Sequence, residues 1–530
     1  MTPNPVGKAL SSSQLAQAAS TIVLGLMASG ALGLIRQMVI ASAFGAGRQL
    51  DAFNAALRVP ETLFVLVAGG ALGSAFIPVF SSFLAKSDYG GAWKLASTVL
   101  TLVVLAAILV SAVMFIFAGE VVDYILIPDA PQSSQNLTTE LMRIMLITVV
   151  IFGTSGLIMG ILNAHQHFLT PALAPSMYNL GLIFGALLLA PSMGIHGLAW
   201  GAVVGAIFHA GVQLPALRKL EHLHIVPLVD WRVPGVMEVL LLMGPRVLGL
   251  GVVQVNFWVN AALTSGMMAG SLTALQTAFT LMFTILGIIG QSIGTAVFPT
   301  LSRLHSEGDE QAFARTLTGA LASVLFLSIP AGLGLVVLSD PIVTVLFERG
   351  EWTATDTAGT AWALALFGIG LAGHAALEIL ARAFYALHDT WTPVKIGGAT
   401  MILNITLSLI FIRVLGSDTD FARGAFGGLA LSMSVATAIE STALWLLLQR
   451  RLPVLKTYRL ANRTLRMTAA ALGMAAVTVG WLLLADHLPT LVLLVVGIGL
   501  GGASFWGMAL LLKIEEARAV PRMVLARVRR

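Results

Sequence analysis

Long apolar runs are the feature of this sequence that most restricts its fold. Within residues 102–118 the only polar residue is Ser111. Such a run favours a membrane-spanning helix, because about 20 mostly apolar residues cross the hydrocarbon core of a bilayer. It excludes a transmembrane β-barrel, in which apolar and polar residues alternate along strands of about ten residues.

The composition agrees with a membrane protein. Hydrophobic residues make up 57% of the 530 residues and charged residues 10%, whereas soluble domains have about 45–50% and about 25%. This excludes an ordinary cytosolic enzyme and a disordered chain. The sequence has no Cys, which excludes disulfides, thiolate metal sites and a cysteine nucleophile.

Fourteen segments are long and apolar enough to cross a bilayer, and they predict an all-α integral membrane protein. The first is too long for the apolar core of a signal peptide, so we expect it to be retained. The predicted spans are 20–43, 55–83, 95–118, 139–162, 172–191, 195–216, 235–264, 270–300, 314–339, 357–386, 394–414, 426–448, 464–486 and 489–512.

The distribution of basic residues predicts the orientation. Basic residues concentrate in cytoplasmic loops, and a cytoplasmic N-terminus places the cluster at 450–463 and the basic tail at 518–530 inside. The outer loops then hold only Arg48, Arg349 and Arg423. Both termini are therefore predicted to be cytoplasmic. For the tail, anionic lipid is a better match than nucleic acid.

An internal repeat is a second organising feature. Three pairs of segments match in the same order: 69–78 with 290–299, 170–171 with 392–393, and 197–199 with 428–430. The alternative is chance similarity among apolar segments. A duplication predicts two six-helix lobes, related by a pseudo-twofold axis along the membrane normal. The predicted lobes are 1–218 and 219–455, followed by helices 13 and 14 and the tail in 456–530. Pairs such as Gly201 and Gly205 predict close helix packing.

Four arginines within the predicted spans are candidate substrate ligands. Arg36 and Arg246 lie deep in helices 1 and 7 without an acidic neighbour in the sequence, and Arg58 and Arg382 lie in helices 2 and 10. Ionisable groups at such depth usually face a cavity or a partner. Guanidinium groups from both lobes favour a water-filled chamber that binds a phosphate or diphosphate.

Local charge pairing is the alternative for two of these arginines. Arg58 follows Asp51 by seven residues and precedes Glu61 by three, so it is a candidate for local neutralisation. Arg382 follows Glu378 by four residues, which is the favourable order for a helical ion pair.

Helices 10 and 12 carry further ionisable groups. His374, Glu378 and Arg382 share one face of helix 10, where a proton or cation relay and a buried structural pair are both consistent with the spacing. Glu440 is a lone acid in helix 12, suited to binding a cation or to a hydrogen bond across helices.

Motifs for catalysis are absent from the sequence. It has no HExxH, no Walker A motif and no paired catalytic carboxylates, and His165 and His167 alone are too few for a metal site. We therefore expect no enzymatic activity, no catalytic residue, no metal and no cofactor. Transport would be driven by gradients, membrane potential or mass action.

The segment 36–80 resembles the signature of the MurJ/MviN lipid II flippases. The matching elements are Arg36, FGAG at 44–47, DAF at 51–53, Pro60, GA at 70–71 and AFIP at 75–78. Further matches lie at 160–163, 171–175, 243–245, 298–302, 347–356 and 384–395. The resemblance covers nearly the whole chain.

The resemblance implies a bacterial plasma-membrane flippase of the MATE-like MOP exporter superfamily. Such a protein moves undecaprenyl-diphosphate-linked muropeptide, lipid II, to the outer leaflet by alternating access. A cationic cavity takes the head group, and a groove at helices 13 and 14 takes the lipid tail. Lipid II and membrane lipids are the implied partners, with a coupling cation and cell-wall synthesis enzymes as further candidates and no nucleic acid.

The sequence departs from the family pattern at four positions. Charged residues expected there are replaced by Gly30, Phe64, Thr280 and Phe283. Only Arg36 and Asp51 carry over, so Arg58, Arg246 and Arg382 are candidates to replace the missing cations. Two other functions remain open: a flippase for another polyprenyl-diphosphate oligosaccharide, and a non-transporting scaffold for cell-wall synthesis.

Overall fold

The computed structural model describes residues 12–67 and 70–518. Some side chains inside these ranges, that of Arg246 among them, lie outside the described residues. In the described ranges the chain is helical, and extended pairing is limited to one isolated bridge between Ser417 and Gly424. Contacts divide the chain into two compact units, Met1–Leu272 and Thr273–Arg530.

The first unit contains twelve α-helices in its described part. They are α1 Ser12–Phe44, α2 Arg48–Val67, α3 Gly70–Ala85, α4 Tyr89–Ile116, α5 Ala118–Val121, α6 Gln132–Met145, α7 Ile147–Ala164, α8 Leu169–Phe184, α9 Ala190–Met193, α10 Ile195–Gly211, α11 Leu214–Leu217 and α12 Val236–Thr264. Two π-helical turns, Val122–Leu126 and Gly185–Leu189, interrupt this series.

The second unit contains eight α-helices in its described part. They are α13 Ser271–Leu286, which begins at the end of the first unit, α14 Ser292–Ser306, α15 Glu310–Phe347, α16 Ala354–Ala386, α17 Trp391–Val414, α18 Gly427–Arg451, α19 Leu460–Leu484 and α20 Thr490–Leu511. A π-helical turn joins α13 to α14 at Gly287–Gln291.

Twelve helices in the described residues are long and apolar enough to cross a membrane. They overlap twelve of the fourteen predicted spans, so an all-α membrane protein is confirmed. The other two are 55–83 and 235–264. The first corresponds to α2, which carries four charged residues, and to the shorter α3. The second corresponds to α12, in which several side chains are not described. The count of fourteen stays a prediction.

The lobe boundaries at 218 and 455 also stay predictions. Contacts place the division near residue 272 because α12 packs against α2 and α3. A boundary between contact units and a boundary between sequence repeats are different quantities, and the first does not test the second.

Turn geometry supports the duplication. Ser87 after α3 and Gly308 after α14 lie 221 residues apart, and both have a positive φ, 57° and 71°. The next residues, Asp88 and Asp309, both cap the following helix. Each carboxylate accepts a hydrogen bond of 2.8 Å from the backbone N–H three residues on.

Two further pairs of turns repeat at an offset of 222 residues. Gln166 and His388 have φ of 61° and 59°, and Gly194 and Gly416 have φ of 58° and 99°. The offset becomes 231 residues at Gly428, because a loop with the 3₁₀ turn Phe421–Arg423 is inserted before α18. The matched positions of these backbone conformations favour duplication over chance similarity among apolar segments.

Asp389 stabilises the turn between α16 and α17. Its carboxylate accepts hydrogen bonds from the Thr392 hydroxyl and backbone N–H at 2.6 and 2.9 Å, and pairs with Arg451. These contacts lower the pKa of Asp389 to about 2. Because this pKa is depressed, the stabilisation is present above the usual value near 3.8 and is lost only as the pH falls through about 2.

Glycines allow α8 and α10 to touch along their backbones. A Cβ atom on Gly181 would lie 2.1 Å from the Cα of Gly205, and one on Gly185 would lie 2.6 Å from the Cα of Gly201. The close approach expected from the Gly201 and Gly205 pair is therefore present.

Candidate functional site

Arg36 is the candidate cation with the fewest compensating contacts among the three whose side chains the structure describes. It lies eight residues before the end of α1, about 12 Å along the axis. The side chain is partly buried, and its Nε has no hydrogen-bond partner among the described residues. No salt bridge in the described part of the chain includes it.

Arg36 lies near two other polar groups of the first unit. α1 packs against α8, and Tyr178 of α8 interacts electrostatically with both Arg36 and Glu61. We call Arg36, Arg58, Glu61 and Tyr178 the first-unit polar cluster. Two arginines and one carboxylate give it a formal charge of +1.

Arg58 is the compensated arginine of this cluster. It is 8% exposed, donates to the Glu61 carboxylate at 3.1 Å, and lies over the Phe257 ring at 5.0 Å. These contacts favour local neutralisation, the alternative that the sequence left open. The role of Arg58 as a substrate ligand stays a prediction.

The candidate cation of the second unit is also paired. Arg382 forms the expected i,i+4 ion pair with Glu378 and donates to its carbonyl oxygen at 2.7 Å. A Cβ atom on Gly294 would lie 3.0 Å from the guanidinium, so this glycine gives Arg382 room. On the same helix His374 is buried, and its Nε2 has no partner among the described residues.

Asp51 fixes a loop. Its Oδ2 accepts a hydrogen bond of 2.6 Å from the backbone N–H of Gly270, which has a φ of 92°. The carboxylate also lies in the first turn of α2, where negative charge is favourable. The fourth predicted cation, Arg246, lies in α12, but its side chain is outside the described residues.

The local contacts at the four departures from the family pattern differ. Gly30 has open space where a Cβ would lie. Phe64 packs on Phe152 with ring centroids 4.7 Å apart, and Phe283 packs on Phe279 at 5.6 Å. The Thr280 hydroxyl donates to the backbone of its own helix at 2.9 Å. None of these side chains compensates a charge.

An apolar cavity of about 400 Å³ lies within the second unit. α15, α19 and α20 form most of its wall, with Phe326, Leu335, Phe505 and Trp506 among the lining residues. Its lining is almost free of polar groups, which suits a hydrocarbon chain. The predicted helices 13 and 14, spans 464–486 and 489–512, correspond to α19 and α20. The cavity therefore lies at the helices where the resemblance implies a groove for the lipid tail.

Comparison with known proteins identifies the family. The sequence model described as "Lipid II flippase MurJ" matches residues 40–497. The chain belongs to the MurJ lipid II flippase family. A probable MurJ from Vibrio cholerae is 32% identical, with 96% of this chain and 97% of the relative aligned. The MurJ of Burkholderia cenocepacia is 30% identical over 84% of this chain and 86% of the relative.

Solved structures agree with the fold of the MurJ family. A lipid II flippase MurJ in an inward closed conformation matches with a TM-score of 0.76 and 24% identity, over 92% of this chain and 97% of that one. An inward-facing multidrug MATE transporter of the MOP superfamily matches with a TM-score of 0.66 and 13% identity, over 83% and 99%. The predicted family is confirmed, and the fold is shared with this MOP-superfamily transporter.

Sequence reasoning missed Tyr178 as a member of the polar cluster. The available signal was its rarity, because the chain has only five tyrosines and this one lies in an apolar helix. Its proximity to Arg36 and Glu61 depends on helix packing, which local spacing does not reveal.

Proposed function

We propose that this protein moves lipid II from the inner to the outer leaflet of the bacterial plasma membrane by alternating access. The observation that carries the proposal is the family match over residues 40–497. The protein acts as a transporter and performs no covalent chemistry. Both termini lie in the cytoplasm, in agreement with the positive-inside distribution of Lys and Arg.

Arg36 is the proposed primary ligand of the diphosphate. A guanidinium donates two parallel hydrogen bonds to phosphate oxygens, and Arg36 has no salt bridge among the described residues that would compete with that ligand. Arg58, Arg246 and Arg382 are proposed as further cations. Asp51, Glu378 and His374 are proposed as supporting polar groups.

The apolar cavity of the second unit is the proposed site for part of the undecaprenyl chain. Its lining is hydrocarbon from α15, α19 and α20, and its volume of about 400 Å³ accommodates several isoprene units. Apolar burial would supply binding free energy here without any polar contact.

Filling this cavity is expected to weaken transport. Gly334 lines it, and a Cβ there meets no atom within 4 Å, so Gly334→Leu is expected to add side-chain volume to the cavity. Each displaced CH₂ of the tail forfeits about 0.8 kcal/mol, and loss of two lowers the apparent affinity for lipid II roughly tenfold. Flipping rates measured against lipid II concentration in vesicles test this.

Gly499→Leu is the matched control for this substitution. Gly499 also has open space around a Cβ, but it does not line the cavity. Equal rates for the two variants across all concentrations would contradict the assignment of the cavity to the lipid tail.

Depletion and rescue test the proposed function in cells. We expect the protein to restore growth and shape to bacteria depleted of their own lipid II flippase. Its presence in the membrane is verified in the same cells by immunoblot. Correctly inserted protein that fails to rescue in several hosts would overturn the proposal. A coupling cation and cell-wall synthesis enzymes are proposed as further partners.

A further inference from the structure

Glu440 is an acidic residue deep in a membrane-spanning helix. It lies thirteen residues after the start of α18 at Gly427, about 20 Å along the helix axis. This 25-residue helix is long and apolar enough to span the bilayer. Glu440 lies near the middle of the helix and therefore near the middle of the bilayer. The side chain is partly buried. An ionised carboxylate at this depth requires a partner or a neutralising ligand.

The carboxylate of Glu440 has no such partner among the residues that the structure describes. No hydrogen bond or salt bridge in the described residues includes it. It lies instead against Gly397 of α17, where a Cβ would be 3.2 Å from Oε1. A larger side chain at Gly397 would have to displace the carboxylate, so the glycine provides the space that this group occupies.

The first repeat shows how a group at this position is otherwise satisfied. His209 of α10 corresponds to Glu440 at the 231-residue offset that relates Gly197 to Gly428. His209 is buried, and its Nδ1 is hydrogen-bonded to Ser155 Oγ at 2.7 Å. Gln213 Nε2 donates to the same Oγ at 2.7 Å.

The second repeat lacks both groups that complete this network. Leu377 stands where Ser155 is in the first repeat, at the 222-residue offset, and Leu444 stands where Gln213 is, at the 231-residue offset. An ionisable group is thus present in both copies, but only the first copy surrounds it with hydrogen-bonding side chains. Glu440 therefore lacks the hydrogen-bonding side chains that His209 has in the first copy.

We propose that Glu440 is a reversible proton-binding site, at which a proton from solution neutralises the carboxylate within the membrane. A metal cation would need several oxygen ligands. Glu440 faces a glycine, which has no side-chain ligand to add. In the described part of the chain, His, Asp and Glu residues form no group of three or more that could hold a metal ion. The inference requires only that the chain spans the membrane, not that its substrate is lipid II.

Few other titratable groups compete with Glu440. α18 packs against α16, α17 and the turn Pro453–Tyr458, which carries Lys456. On α17, Lys395 is exposed and Arg413 lies near the opposite end, while Glu378 and Arg382 of α16 neutralise each other. His374 is the remaining candidate, since the adjacent Gly373 faces Ala438 of α18.

Carbodiimide labelling tests the proposal on the unmodified protein. Dicyclohexylcarbodiimide is a hydrophobic reagent that reacts with protonated carboxyl groups in membranes, and mass spectrometry locates the adduct. In reconstituted vesicles we expect labelling of Glu440 that decreases as the pH rises and is insensitive to Na⁺. Glu378, which pairs with Arg382, is the internal control and should remain unlabelled.

Three results would overturn the proposal, two of them in the unmodified protein. One is absence of labelling at Glu440 at every pH, and the other is protection by Na⁺ at constant pH, which would assign a metal cation. The variants E440Q and H374Q identify the titrating group, because E440Q should abolish the labelling and H374Q should leave its pH dependence in place. A pH dependence that disappears in H374Q would transfer the site to the histidine.

Discussion

Replacement of Arg36 by glutamine is expected to reduce lipid II flipping at least roughly tenfold. Hydrogen bonds to charged groups contribute about 1.5–3 kcal/mol each, and glutamine removes both the charge and the paired donors. Folding should be unaffected, because Arg36 has no salt bridge to lose among the described residues. The measurement is the initial flipping rate of fluorescent lipid II in vesicles that contain purified protein.

Arg303→Gln is the control for this experiment. Arg303 is exposed, and its ion pair in the described part of the chain is with Glu307, just after the end of α14, so its loss should leave the flipping rate unchanged. Arg36→Lys should give an intermediate rate, because lysine keeps the charge without the paired donors. A wild-type rate for Arg36→Gln would remove Arg36 from the proposed site.

Replacement of Gly181 by alanine is expected to cause the largest loss of stability. The new Cβ would lie 2.1 Å from the backbone of Gly205, so α8 and α10 must separate. Overpacking of this kind costs about 1–3 kcal/mol. Thermal unfolding of the detergent-solubilised protein, followed by size-exclusion chromatography, should show a lower midpoint.

Gly211→Ala is the matched substitution on α10. A Cβ at Gly211 meets no atom within 4 Å, and alanine is the better helix former, so the midpoint should stay the same or rise slightly. If Gly181→Ala and Gly211→Ala unfolded at the same temperature, the close backbone contact between α8 and α10 would be wrong.

The hydrophobic pattern predicts most of the fold because each span is a continuous local signal. It fails to resolve α2, where Arg48, Asp51, Arg58 and Glu61 lower the hydropathy of a helix that packs within the first unit. It also fails to show breaks that lie inside apolar runs. The predicted span 139–162, for example, consists of parts of two helices, α6 and α7.

The charge pairs within one helix were predictable from spacing. Arg58 with Glu61 and Glu378 with Arg382 are three and four residues apart, and both pairs are present. Contacts between helices were not predictable in this way. The approach of Tyr178 to Arg36 brings together α1 and α8, whose packing depends on small residues such as Gly33, which lies beside Asn179.

The repeat was predictable from short matches, but its functional consequence was not. The sequence alone shows Glu440 as a lone acid. Only the hydrogen-bonded surroundings of His209 show that the second copy has lost the partners of an equivalent group. Comparison of the two copies therefore gave information that neither copy provides separately.

The central claim is that an arginine within the membrane recognises the diphosphate of lipid II. The most direct test is to measure the flipping of two lipids in the same vesicles. Lipid II and phosphatidylcholine, each with a distinguishable fluorophore, are followed as they become accessible to a membrane-impermeant quencher. We predict that the protein accelerates the movement of lipid II and leaves phosphatidylcholine at the rate of protein-free vesicles. Equal acceleration of both lipids, or of neither, would contradict the account.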